Sequence, residues 1–218
     1  MHYTEEIMKA IFRPQPRTVK ACFGFRRQED YSAGMDATDL IVLRRDIERE
    51  FPTFMLVSKR DSRLMLVIAW FLYIVSFGKM RQFLTKFTTT IGDTIYTPTD
   101  WETYSPRSQT IILRHERVHL RQARKYTRLW FSFLYLFMFF PIGLAWYRAK
   151  FEMEAYTESL RAYREYGIDI TQPEIKASIL KHFTTAEYLW MFPFKGYLER
   201  WFDKTVLEIL ATTKPGVL

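Results

Sequence analysis

Two long runs without a charge constrain this 218-residue chain more than any other feature. Residues 64–78 (LMLVIAWFLYIVSFG) are 15 uncharged positions in a row, and residues 129–146 (LWFSFLYLFMFFPIGLAW) are 18. Any fold must take most of this surface out of water. A membrane-spanning helix needs about 20 apolar residues. The first run falls short of that, and Pro141 and Gly143 interrupt the second. Two placements remain, a pair of buried core helices or insertion into a membrane or a partner's apolar surface. Lys59, Arg60 and Arg63 precede the first run, and Lys79 and Arg81 follow it.

The rest of the composition is that of a globular chain. Hydrophobic residues at 48% and charged residues at 26% exclude disorder, and 8 Gly with 9 Pro exclude a collagen-like or linker-dominated chain. A single domain over residues 1–218 is the expected size class. The lone Cys22 excludes an intramolecular disulfide and a cysteine-rich zinc finger. Glu5 and Glu6 stand where a secretory signal needs positive charge. A cytoplasmic or peripheral-membrane protein is therefore expected, with a virion component also compatible.

Local patterns outline a mainly helical α+β chain with a small sheet. Residues 3–12 suit a short helix ended by Pro14 and Pro16, and residues 15–35 read as loop. Asp36 or Thr38 can cap a helix that Pro52 stops after Phe51. Residues 82–98, threonine-rich with Gly92-Asp93 inside, suit a hairpin or a bulged strand. Ser105-Pro106 is a helix start. Residues 169–173 form a turn, and helices are expected over about 173–187 and 196–211, with a loop at Pro193.

Charge is concentrated where chemistry is. The net charge is +8, and residues 101–128 hold seven basic and two acidic groups with two of the four histidines. Residues 115–119 are His-Glu-Arg-Val-His, an H-E-x-x-H motif. On a helix, positions i and i+4 share a face, so His115 and His119 can bind one metal ion, and Glu116 lies beside its open position as a general base. Zinc suits that arrangement because it lowers the pKa of a bound water towards neutrality. With His115 at zero on a helical wheel, His119, Gln122 and Tyr126 fall within about 40° of it. Arg114, Arg117, Arg121, Arg124, Lys125 and Arg128 fall between about 180° and 280°. The histidines therefore point inward, and the cations point to solvent or to an anionic surface.

A third ligand is expected on the following helix. Around Glu152, residues Ala155, Tyr156, Ser159, Leu160, Ala162 and Tyr163 lie within about 80°, whereas Glu154, Glu158, Arg161 and Glu165 lie between about 180° and 240°. Glu152 is the one carboxylate of this segment on the inward stripe, where a metal would offset the cost of its burial. One straight helix over 108–140 would return Glu152 only about 14 Å from the turn. The motif helix must then end or bend near 126–129; otherwise Glu165 is better placed. Glu154 remains the other alternative.

The order H-E-x-x-H, apolar connection, then Glu-x-x-Ala on a second helix resembles the gluzincin zinc metallopeptidases, above all small minimal members and bacterial and phage HExxH proteins. The matching stretch, 88–166, is roughly a third of the chain. The resemblance implies a zincin-like core with an active-site helix and a glutamate helix. It divides the domain into an N-terminal helical and loop extension (1–62), a metal-site core (63–168) and C-terminal helices (169–218). It implies His115, His119 and Glu152 as Zn2+ ligands, Glu116 as the base, and a peptide or protein substrate laid along an edge strand within 88–96. Four positions after the ligand glutamate the family often has an acidic residue that holds a ligand histidine; here that position is Tyr156, which can accept from an imidazole N–H. The family also uses a Tyr or His at the oxyanion, for which Tyr156, His182 and Tyr188 are candidates.

The alternative is a membrane-associated or virion structural protein whose metal site has little or no turnover. It rests on the two apolar runs and the cationic helix face, which suit an apolar partner or an anionic membrane. Nucleic acid is not an expected partner, since no aromatic platform alternates with the arginines and no binding motif accompanies them.

Overall fold

The computed structural model describes residues 33–75, 78, 83–126, 145–185 and 192–212. The expected helix over 3–12, Cys22, Tyr188 and nearly all of the 129–146 run lie outside the described residues.

Helix α1 spans Ala33–Glu50 and stops before Pro52, as the pattern predicts. It begins inside the stretch read as loop, so Asp36 is a first-turn residue rather than a cap, and it pairs with Arg107 at 3.1 Å. Strand β1 (Met55–Ser58) leads through a single 3-10 turn into α2, Arg63–Val75, the helix of the first uncharged run. Gly78 closes the end of α2, donating its N–H to Tyr73 O at 2.8 Å with φ of +80°. The short helix α3 (Phe83–Lys86) and strands β2 (Thr89–Ile91) and β3 (Thr94–Thr97) follow.

The 88–96 segment is thus a hairpin and not one bulged strand. Gly92, at φ of +60°, supplies the left-handed residue its two-residue turn needs. Strand order is β1-β3-β2. β3 is central, parallel to β1 (Met55 opposite Thr94) and antiparallel to β2 (Thr90 opposite Ile95), so β2 is an edge of this sheet.

Helix α4, Pro106–Lys125, carries the H-E-x-x-H motif. Ser105 caps it by accepting from Ser108 N–H, and Pro106 occupies the first turn, where its missing N–H costs nothing. The helix ends at Lys125, which meets the requirement that it stop before the apolar run. Helix α5 (Ala145–Glu165) returns against it, and Gly167, at φ of +71°, turns the chain towards α6 (Pro173–Thr184) and α7 (Lys195–Thr212). These are seven α-helices among the described residues, so the chain is mainly helical with one three-stranded sheet.

Alternation along the strands sorts side chains to two faces. Leu56 and Ile95 pack with Leu43 and Ile47 of α1 and Leu113 and Leu120 of α4. Ile91 and Tyr96 pack on the other face with Met65, Ala69 and Leu72 of α2. The sheet therefore lies between α2 and the α1–α4 pair. α1 and β1, from the segment read as an extension, are built into this core. A second core joins α5, α6 and α7 through Leu160, Tyr163, Phe183, Leu198 and Phe202.

Part of the arginine face of α4 is paired within the molecule. Arg117 and Arg121 both bond Glu50 of α1. Arg114 bonds Glu158, with Nε 2.8 Å from Oε1, and also Glu165 of α5. The guanidinium of Arg124 lies 4.6 Å from the ring centroid of Phe51. Arg114, Arg117 and Arg121 thus tie α4 to α5 and α1, while Arg124 and Lys125 stay exposed. The wheel places these cations on one face, but it does not show that carboxylates of two neighbouring helices pair with three of them.

Candidate metal centre

Two helices build the centre. The inward face of α4 presents His115 and His119, one turn apart, and α5 presents Glu152 opposite them. His115 Nε2 and His119 Nε2 are 3.3 Å apart. Glu152 Oε2 lies 3.5 Å from the first and 3.7 Å from the second. The three are a group whose ligand-type atoms all fall within 4.8 Å of one another, with His119 and Glu152 buried. The wheel assignment of Glu152 to the inward stripe agrees with this geometry.

The other carboxylates are used elsewhere. Glu165 is tied to Arg114. Glu154 Oε2 accepts from Gln122 Nε2 at 2.9 Å, one step removed from the group.

The hydrogen bonds behind the histidines set their tautomers. His119 Nδ1 is 2.9 Å from Gln122 Oε1. The amide of Gln122 is oriented by its own donations to Phe151 O and Glu154, so its oxygen accepts from Nδ1–H. His115 Nδ1 is 3.1 Å from Ser159 Oγ, whose own proton goes to Ala155 O, so Ser159 also accepts from Nδ1–H. Both rings then turn Nε2, the nitrogen left for a metal ion or a second proton, towards each other and towards a carboxylate. Such a buried convergence is a group that could hold a metal ion.

In the metal-free protein a proton supplies part of that charge. Burial works against a cationic His119, but the charges of Glu152 and Glu116 and hydrogen bonds to Glu152 and Gln122 prevail, pushing it up to about 9. Burial likewise works against an ionised Glu152, yet the two histidines hold it well below the usual carboxylate range.

Glu116 is buried beside the group, near enough for its charge to act on His119. It accepts a 2.6 Å hydrogen bond from Thr90 Oγ1, which fixes it against β2. The edge strand of the sheet and the candidate base are therefore adjacent. Lys59 is the unexpected neighbour. It is fully buried, donates to Phe83 O at 2.9 Å, and its ammonium sits 3.7 Å from the Phe83 ring centroid. Burial lowers its amine well below the usual lysine range, with the charge of Glu116 opposing.

Tyr156 packs edge-on to His115, ring centroids 4.8 Å apart. It stands at the position where the gluzincins often carry an acid, and Ser159 and Gln122 meet the Nδ1 atoms of the two imidazoles. His182 is half-buried behind Tyr156 at 5.5 Å, its Nδ1 2.7 Å from Ser178 O, and burial lowers its pKa. It is a neighbour of the group and not a member of it.

Four contributors were not assigned roles from sequence. Gln122 and Ser159 carried a signal, since both fell on the inward stripes beside the histidines and Glu152. Thr90 carried only its strand-like context. Lys59 carried none, because within Lys59, Arg60 and Arg63 it reads as one solvated cation among several.

No protein-family model, curated protein or solved structure matches this chain.

Proposed function

We propose that the chain is a zinc-dependent metallopeptidase with a zincin-like core. The reading is carried by one observation: two imidazole nitrogens and a carboxylate oxygen converge beside a buried, positioned Glu116. Zinc bonds to nitrogen and oxygen of about 2.0–2.2 Å place tetrahedral neighbours roughly 3.3 Å apart. The observed spacings of 3.3, 3.5 and 3.7 Å support that ion without rearrangement of the helices. His115, His119 and Glu152 would hold it, and three protein ligands leave a position open, as in catalytic rather than structural sites.

Zinc, when bound, would supply a Lewis acid for a peptide carbonyl and an acidified water. The chain's residues supply the rest. Glu116, held by Thr90, takes a proton from the attacking water and returns it to the leaving amine. Gln122 and Ser159 keep the imidazoles in the ligating tautomer. Strand β2 offers main-chain groups to an extended peptide, the usual way such a substrate is added to a sheet edge.

The test is direct. Purified protein should hold one zinc per chain, and His115→Ala, His119→Ala or Glu152→Ala should lose it. Glu116→Gln should keep zinc and fold but remove cleavage of a peptide library. Zinc retained by Glu152→Ala, or cleavage at the wild-type rate by Glu116→Gln, contradicts the reading. Zinc binding with no cleavage by the wild type favours a structural metal site.

A further inference from the structure

Helix α2 is apolar on both sides, and among the described residues only one side is packed. Met65, Ala69 and Leu72 are buried against the sheet. On the opposite face Leu64, Val67, Trp70, Phe71 and Ile74 are each 49–61% exposed. On the wheel these five span a stripe about 120° wide. Arg63, at the start of the helix, is the one charged side chain beside it. Isolated exposed apolar residues need no explanation, but a continuous stripe of five large ones on a single helix marks a surface with an occupant.

The charges around the stripe indicate which occupant. From residue 62 to residue 92 there is no acidic residue, while Arg63, Lys79, Arg81 and Lys86 lie at or beyond the ends of the helix. Exposed Arg60 lies just before this stretch, with exposed Asp61 between them. Trp and Phe in the stripe with cations at its ends suit the boundary between acyl chains and anionic headgroups. The 13-residue helix is about 20 Å long, too short to cross a bilayer. No described helix is long and apolar enough to do so. An orientation in the plane of the surface is what remains.

We propose that the outer face of α2 docks the protein on anionic lipid membranes, lying flat in the interface. This surface is separate from the metal centre and does not depend on it. The sheet stands between α2 and α4, so the histidines lie on the side of the molecule away from the lipid. The attraction to anions is assigned to the cations flanking α2, because Arg114, Arg117 and Arg121 of α4 are already paired to Glu50, Glu158 and Glu165.

The experiment is flotation of the full chain with phosphatidylcholine vesicles, with and without phosphatidylglycerol, at low and high salt. Wild type should float with the anionic vesicles and progressively less as salt screens the charges. Replacing two half-exposed aromatics, Trp70→Ser with Phe71→Ser, should reduce partition at least about tenfold. Circular dichroism and zinc content should stay at wild-type values, because neither side chain is in the core or near the centre. Wild type left at the bottom of the gradient with both lipids overturns the proposal. So does equal flotation with neutral and anionic vesicles, or a double variant that floats like wild type. Sedimentation showing a wild-type dimer that the double variant dissolves assigns the stripe to a second copy of this chain and also overturns it.

Discussion

At the scale of single residues, the centre depends on atoms that never touch a metal. Gln122 and Ser159 hold the ligand imidazoles by their outer nitrogens. Removing such a partner commonly lowers metal affinity about 10–100-fold. Gln122→Ala and Ser159→Ala should each fall in that range by competition with a chromophoric chelator, with helix content unchanged. Glu154→Ala should cost less than Gln122→Ala, since it removes one of two groups orienting the Gln122 amide. Unchanged affinity in both Gln122→Ala and Ser159→Ala would show that the tautomers are set otherwise.

The proton on His119 gives a second prediction at this scale. Its pKa rises from 6.5 to about 9 in the folded, metal-free protein. The stabilisation this provides is fully present below about 6.5 and is lost as pH rises through about 9. For Glu152, whose folded value is lowered, the contribution is present above about 4.5 and is lost as pH falls below that. Metal and proton compete for His119, so zinc affinity should rise with pH through the neutral range. Thermal melts in chelator should therefore decline on the alkaline side while the gap to the zinc-loaded protein widens. A chelated protein as stable above pH 9 as near pH 6.5 contradicts the assignment.

At the scale of elements, α4 acts as the frame to which α1 and α5 are fastened. Glu50 takes both Arg117 and Arg121 and is only partly exposed, whereas the Arg49–Asp46 contact on α1 is open to water at 4.0 Å. Glu50→Ala should cost about 1 kcal/mol and Asp46→Ala close to nothing, read from denaturant midpoints. A larger loss for Asp46→Ala would mean α1 is held by other contacts. The sequence made the long periodic elements readable. The cap at Ser105 and the inward placement of Glu152 follow from local chemistry that needs no partner, whereas the end of α4 at Lys125 follows only from requiring Glu152 to reach His119. What depends on a partner was not readable. The direction in which the arginines of α4 are neutralised depends on Glu50 and Glu158, far away in the chain. The burial of Lys59 depends on Phe83. The uncharged run of α2 says only that the helix is apolar, not that half of it remains in water.

At the scale of the whole molecule, the sheet joins segments the chain separates widely. β2 and β3 are neighbours through a two-residue turn, whereas β1 reaches β3 only after α2, α3 and β2 have been placed. Closing a short loop is fast and a parallel pairing across a crossover is slow, because the longer closure costs more chain entropy before any contact offsets it. The molecule should therefore acquire its order in a sequence. Pulse-labelled hydrogen exchange during refolding should protect β2–β3 amides before those of β1, and simultaneous protection would rule this out. Thr90 arrives with the early hairpin, while Lys59, next to β1, arrives with the late strand. A refolding chain would thus present Glu116 to its hydroxyl partner before the Lys59 ammonium is buried nearby. The parallel strand is then the last of the three to dock, and a chain stalled before it would leave the β1 side of the central strand and the Lys59 segment open to proteases.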